Sequence, residues 1–185
     1  MARSKYIESV LKAAGGRPKS TQWFRDKIKE FGTPTSANLI RDGKRTSVPT
    51  FGLLNMFVYD PKGKEKLPYY DTFPLVLPIE KYNNGFLGIN LHYLSIPMRI
   101  RLLDRLTETA NNKKFDESTR LNADYSKLKN IDLIKPCLKR YLAGQVKSKF
   151  RKVGADEFII ATLLPVQRFK KQSDNYVFGK SRGMV

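Results

Sequence analysis

Cysteine and histidine are almost missing from this chain, with one of each in 185 residues. A lone cysteine, Cys137, excludes an intrachain disulfide. Set between Pro136 and Leu138, it reads as a small buried hydrophobe rather than a nucleophile. One histidine and one cysteine far apart in sequence cannot build a zinc site without carboxylates, so no metal and no cofactor are expected. No apolar run approaches the length that spans a bilayer. Met1–Lys19 carries charges throughout and has no apolar signal-peptide core. Repeats and low-complexity tracts are absent as well. These absences predict a soluble protein of the cell interior or of a virion, with no membrane partner.

The usual catalytic patterns are also missing. Gly179-Lys180-Ser181 supplies the last three letters of a phosphate-cradling loop, but Asp174 stands where the upstream glycine is needed. His92 is the only conventional base for activating a nucleophile. Between Leu91 and Tyr93 it reads as a hydrogen-bonded structural histidine. Asp71, Asp104, Asp156 and Glu157 have no spacing that pairs them. The expectation is a protein that is not an enzyme and has no small-molecule substrate; a metal-dependent nuclease is the weakest of the readings kept open.

Positive charge is what the chain has in excess. Its 35 Lys plus Arg against 17 Asp plus Glu give a formal net charge of +18. So charged a small domain repels itself, and phosphate backbones are the commonest compensator. An acidic protein groove or a membrane surface would compensate too, whereas solubility alone needs a far smaller excess. Two clusters stand out. The first is Lys135, Lys139, Arg140, Lys147, Lys149, Arg151 and Lys152, an acid-free run with Tyr141 and Phe150 inside it. The second is Arg168, Lys170, Lys171, Lys180 and Arg182, interleaved with Phe169, Tyr176 and Phe178. Cations supply sequence-blind phosphate contacts and aromatics stack on exposed bases, so both clusters are candidate nucleic-acid contacts. A solvated face with core aromatics is the plainer alternative for each.

A hydrophobic fraction of 41% is enough for a globular core. Helices are predicted over 4–14, from Ser20 to about Phe31, and over Ser36–Arg41. Together they make a helical arm, 1–48, followed by a linker at 46–50. Its apolar face holds Tyr6, Val10, Leu11, Trp23, Phe24, Ile28 and Phe31. So short a set of helices needs a surface to pack on, either the rest of the chain or a partner. From Thr50 the period changes. Strands are predicted over 50–60, 69–77 and 86–94, joined by turns at 60–63 and at 82–85, which makes an antiparallel meander. A helix opens at Ser95 and Pro97, a polar loop covers 111–119, and further helices are predicted near 124–129 and over 136–143. A late strand over 158–164 is expected to close a curved sheet. The fold class is therefore α+β: a small antiparallel, barrel-like sheet packed with helices, the core at 49–172 and a mobile basic tail at 173–185.

One stretch carries more than composition. Met56–Leu94 contains YDPKGKEKLPYYDTFPLVLPIE and GFLGINLHYL, and KPCLKRYL and ATLLPVQRF follow at 135–142 and 161–169. These blocks resemble the DNA end protector proteins of T-even-like tailed bacteriophages, over roughly the last two-thirds of the chain. The first 49 residues show no such likeness. The resemblance implies a minor virion protein that sits on the ends of packaged duplex DNA and shields them from host exonuclease, with other phage structural proteins as neighbours. It transfers no functional residues. The alternative is a structural part of the tail, baseplate or neck whose helical arm docks on a neighbouring subunit.

Overall fold

The computed structural model describes residues 5–111 and 115–185. Ser4, in the first predicted helix, and residues 112–114, in the predicted polar loop, lie outside them. Helix α1 (Lys5–Ala14) buries Ile7, Val10 and Ala14 at three- and four-residue spacing. It ends at Gly15 and Gly16, both with φ in the left-handed region that glycine enters without strain. The Ser20 side chain caps α2 (Thr21–Phe31) by accepting the Trp23 N–H at 3.1 Å, and Thr35 caps α3 (Ser36–Asp42) likewise.

Chain order then runs β1 (Arg45–Thr46), β2 (Leu54–Met56), β3 (Tyr70–Asp71), β4 (Leu75–Tyr82), β5 (Gly85–Asn90) and α4 (Ile96–Thr107). It continues with α5 (Tyr125–Leu128), β6 (Leu138–Leu142), β7 (Phe150–Val153), α6 (Phe158–Leu163), β8 (Phe169–Lys170) and α7 (Asp174–Arg182). Six strands form one antiparallel sheet in the order β1-β7-β2-β4-β5-β6, and β3 pairs with β8. The fold is α+β as expected. The sheet is open, with β1 and β6 at its edges, so the expected barrel-like closure is not formed. One sheet face, with Leu54, Met56, Leu75, Leu77, Ile89 and Val153, joins the main core. The other carries an aromatic cluster of Phe57, Tyr59, Phe86, Tyr141 and Phe150.

Several expectations are corrected. Of the helical segment predicted over 1–48, the described residues, 5–48, pack into the molecule. Ile7, Val10, Phe24, Ile28 and Leu39 belong to the same hydrophobic cluster as the sheet, and α2 lies against α6. The supposed linker begins inside β1, where Thr46 pairs with Phe150. Of the seven residues read as docking on a partner, Val10, Phe24 and Ile28 are buried by this chain itself, Tyr6, Leu11 and Trp23 pack on its core, and Phe31 is 41% exposed. Two adjacent amphipathic helices find their apolar surface within the chain, on α6 and the core around it.

The segment read as a helix from Pro136 is a 3₁₀ turn, Asp132–Cys137, followed by β6. Pro136 lacks the N–H that a helix interior uses, and the open edge of β5 offers Lys139–Leu142 a ladder instead. The late strand is α6. A short apolar run does not separate a buried strand from a buried helix by period. Here the Glu157 carboxylate accepts the Gly154 N–H at 2.9 Å and starts a helical turn, and α6 lies between α2 and α4. Its expected place in the sheet is taken by β7, which pairs with β2. The strand predicted over 86–94 stops at Asn90, whose side chain accepts the His92 N–H at 3.0 Å and turns the chain into a 3₁₀ turn, Leu91–Tyr93. The tail is α7, capped by Ser173 and anchored by fully buried Val177. Gly179-Lys180-Ser181 is part of that helix, with Ser181 buried, so its N–H groups are not presented as a loop.

Ile28→Ala tests whether the N-terminal helices share the core. Its expected cost is about 2–5 kcal/mol of global stability, read as a shift of a single urea transition. An unchanged sheet transition would show that the segment folds apart.

Candidate nucleic-acid interface

The predicted contact residues separate by environment. Arg140, Lys147, Lys149, Arg168, Lys170, Lys180 and Arg182 are exposed, and none of them is in an ion pair among the described residues. Lys135 is paired with Asp132 at 2.7 Å. Lys171 is exposed, but its Nζ donates to the Glu65 and Leu67 carbonyls at 2.8 Å each, tying the chain after β8 to the loop before β3. Arg151 does not belong to the surface at all. It is 0% exposed, donates to Glu157 Oε1 at 3.2 Å, and lies so close to Gly43 that a Cβ there would meet its Nε at 2.4 Å. Strand alternation turns Arg151 inward, while Lys152 faces the other way. Nothing in a run of lysines and arginines marks which one is inward until the register is known.

Around β7 the outward cations gather with neighbours outside the two predicted clusters. The Lys152 N–H donates to the Lys44 carbonyl at 2.8 Å, and Arg45 pairs with Arg151 across the β1–β7 ladder. Partial burial lowers the Lys152 pKa, and the like charges of Lys44 and Arg120 lower it further, with Glu117 opposing. Lys44, Arg120 and Lys152 thus form a crowded cationic edge, with exposed Arg45 following Lys44 along the chain. The Lys44-Arg45 pair was visible in the sequence but fell at the end of the supposed arm.

The two predicted clusters approach each other at a groove of about 470 Å³ between β6 and the chain leading into β3. Tyr59, Tyr69, Tyr70, Tyr93 and Tyr141 line it, with Lys62, Lys139 and Arg140. Lys139 is half-buried, its Nζ 4.0 Å from the centre of the Tyr93 ring. Burial lowers its pKa. The Arg140 guanidinium is turned to Asn84 Oδ1 at 2.6 Å and stacks on Tyr82. From Tyr69 an aromatic wall continues through Phe169 and Tyr176, with Lys180 over the Tyr176 ring and Lys170 beside Tyr70 across the β3–β8 ladder. A second hollow, about 610 Å³, is lined by Val48, Phe51, Phe86 and Phe150, and Lys81 is the cation on its wall. Of the two, the tyrosine groove has the chemistry for an anion attached to a flat ring.

Beneath the groove sits a buried polar network. Asp71 Oδ2 meets His92 Nδ1 at 3.0 Å and Asn90 Nδ2 at 3.2 Å, while Oδ1 accepts the Phe73 and Arg168 N–H groups at 2.9 and 3.0 Å. Burial pushes the Asp71 carboxyl up, but His92 and the N–H donors outweigh it, so it stays below the usual carboxylate range. Burial pushes His92 below its ordinary value, which leaves it neutral and able to donate from Nδ1. Arg99, fully buried, donates to the Leu94, Leu164 and His92 carbonyls and to Gln167 Oε1, and burial lowers it to about 10. Cys137 is buried and its thiol is pushed up to about 12, as suits an inert hydrophobe. Of the acids weighed for metal-assisted cleavage, Asp71 is held by His92, Glu157 by Arg151, and Asp104 is exposed on α4. Among the described residues no group of three or more His, Cys, Asp or Glu is placed to hold a metal ion. No described helix is long and apolar enough to cross a membrane.

Fold and surface together define a basic α+β protein that gathers tyrosines and cations at one groove. The chain belongs to the family of the phage T4 terminal DNA protecting protein, whose family model matches residues 3–182. The match includes the N-terminal helices, where the sequence showed no likeness. No curated protein and no solved structure matches the chain.

Two outcomes follow from this geometry. Arg151→Ala leaves Glu157 buried without its partner and is expected to cost about 3–5 kcal/mol, whereas Lys149→Ala stays within about 0.5 kcal/mol, both read by urea denaturation. The second concerns acid. His92 and Asp71 both titrate lower in the folded state than in the unfolded chain, so each contributes stability that is present above its unfolded value and lost as pH falls through its folded one. Stability is therefore expected to hold above neutrality and to decline as pH drops from about 6.5. The single imidazole NMR signal reports directly: titration of the folded protein at or above about 6.5 contradicts the assignment.

Proposed function

We propose that this protein binds the ends of packaged duplex DNA and shields them from host exonuclease, by occupancy and without catalysis. Membership of a family named for protecting the DNA terminus supports the phage context and the end. The observation that carries the binding mode is the crowding of Lys44, Arg120 and Lys152 at β7, where burial first and then the like charges of Lys44 and Arg120 lower the Lys152 pKa. Repulsion of that kind is relieved by a phosphate backbone, which releases its own counterions in exchange. The exposed members of both predicted clusters, Arg140, Lys147, Lys149, Arg168, Lys170, Lys180 and Arg182, add cations outside ion pairs among the described residues, on other parts of the surface. They suit contact with phosphates rather than base edges, and hence little sequence preference.

The rival role, a tail or baseplate subunit docked through its helical arm, needs a free apolar face on that arm. Val10, Phe24 and Ile28 are already covered by the chain's own core, which favours the DNA reading.

The test is binding to linear and closed circular duplex across a salt series, with an exonuclease protection assay alongside. Linear duplex should bind more tightly, affinity should fall linearly with salt on a log–log plot, and bound ends should resist a processive double-strand exonuclease. Replacing Lys44, Lys149 and Lys152 together by Gln should lower the magnitude of the salt slope by about one for each phosphate that the variant no longer neutralises. Equal affinity for circular and linear duplex removes end protection, and no binding at low salt removes DNA as the partner.

A further inference from the structure

A cation drawn into a protein interior normally meets a carboxylate there, because an unpaired buried charge is costly. Lys139 departs from this. It is half-buried on the groove side of β6, and no carboxylate lies within ion-pair distance among the described residues. Its ammonium rests over the face of Tyr93, a modest compensation. Among the described residues the one acid lining the groove, Asp71, is turned to four donors of its own. The groove therefore offers a desolvated ammonium at its wall, a second cation in exposed Lys62, and half-buried Tyr69 and Tyr70 as flat surfaces.

We infer that this groove is a socket for a terminal phosphomonoester of DNA together with its first nucleotide, with Lys139 meeting the phosphate and Tyr69 or Tyr70 stacking on the base. The inference rests on the end-binding reading above and adds what that reading lacks, a means of telling an end from a flank. The exposed cations at β7 and on α7 touch any duplex alike. A volume of about 470 Å³ accommodates a nucleotide but not the side of a double helix. Only an end can deliver a phosphate to Lys139. An end also brings more charge, since a phosphomonoester carries roughly one and a half to two negative charges at neutral pH, and a chain phosphodiester carries about one. Burial, which lowers the lysine's pKa in the free protein, strengthens its attraction to that anion in the complex. The wall from Tyr69 through Phe169 to Tyr176, with Lys170 and Lys180 along it, gives the adjoining strand a continuous path.

The experiment uses the full chain and four duplex probes: ends with a 5′-phosphate, ends with a 3′-phosphate, ends with hydroxyls only, and a closed circle. Affinities are read by competition at one fixed salt concentration. One class of phosphate end should bind about tenfold more tightly than hydroxyl ends, the scale of a charge-assisted hydrogen bond. The preferred class shows which strand end enters. Lys139→Gln should abolish that difference, and Lys139→Arg should restore part of it. Exposed Lys62→Gln, which does not threaten the fold, should reduce it. If linear duplex is preferred over the circle but phosphate and hydroxyl ends bind alike, the socket is refuted and the end-binding reading survives. If circle and linear bind alike, both fall. A phosphate preference that Lys139→Gln and Lys62→Gln leave intact places the phosphate elsewhere and overturns the assignment.

Discussion

The Asp71 carboxylate is the point on which this structure turns. Four donors converge on it from three separated parts of the chain: the Phe73 N–H, the Asn90 and His92 side chains, and the Arg168 N–H. A buried carboxylate is tolerable only when it is supplied in this way. Its demand for partners joins β3 to the end of β5 and to the chain before β8. Arg99 does the complementary work, donating to carbonyls of the 3₁₀ turn and of α6's C-terminal end and to Gln167, which in turn donates to Asp174 of α7. Between them, an anion and a cation that do not touch organise the same junction of sheet, α4 and C-terminal helix.

That junction has a functional consequence. It holds Tyr70, Tyr93 and the start of α7 in fixed relation, and the tyrosine groove lies above it. The aromatic residues of the second basic cluster are therefore not loose stacking platforms. Phe169 and Phe178 pack edge to face, and Tyr69, Tyr93 and Phe169 form one wall. A rigid wall loses little entropy on binding, which suits a protein whose role in this reading is to stay on a DNA end. Elsewhere the cations are divided by the same logic of satisfaction. Arg151 faces inward to Glu157, and Lys171 closes a loop. Those that find no partner inside form the surface proposed to meet phosphate.

Much of the N-terminal half was legible from local signals. Ser20, Thr35 and the glycines after α1 act through hydrogen bonds and dihedral freedom within a few residues, so their effect is written in the sequence itself. The turn at 82–85 places β5 beside β4 in the same way, but the one strand predicted over 69–77 is two: β3 pairs with β8, and β4 runs on through Pro78 to Tyr82. Two of the errors share one cause. Residues 158–164 and 136–143 carry apolar patterns compatible with either helix or strand, and what chose between them was the neighbour each found: α2 and α4 for the first, the open edge of β5 for the second. The C-terminal residues looked mobile because their composition is polar, yet Val177 is inserted in the core and Asp174 is held by Gln167.

Composition and local pattern alone determined the charge surplus, the α+β class, the caps and turns, and the blocks shared with DNA end protector proteins, since each depends on residue identity or on interactions close along the chain. Only the tertiary structure decided that the N-terminal helices are part of the core, that Arg151 is buried while Lys152 is not, and that Lys139 stands in a groove with tyrosines from distant segments. Strand register and long-range packing set those facts, and both are properties of how separated segments meet.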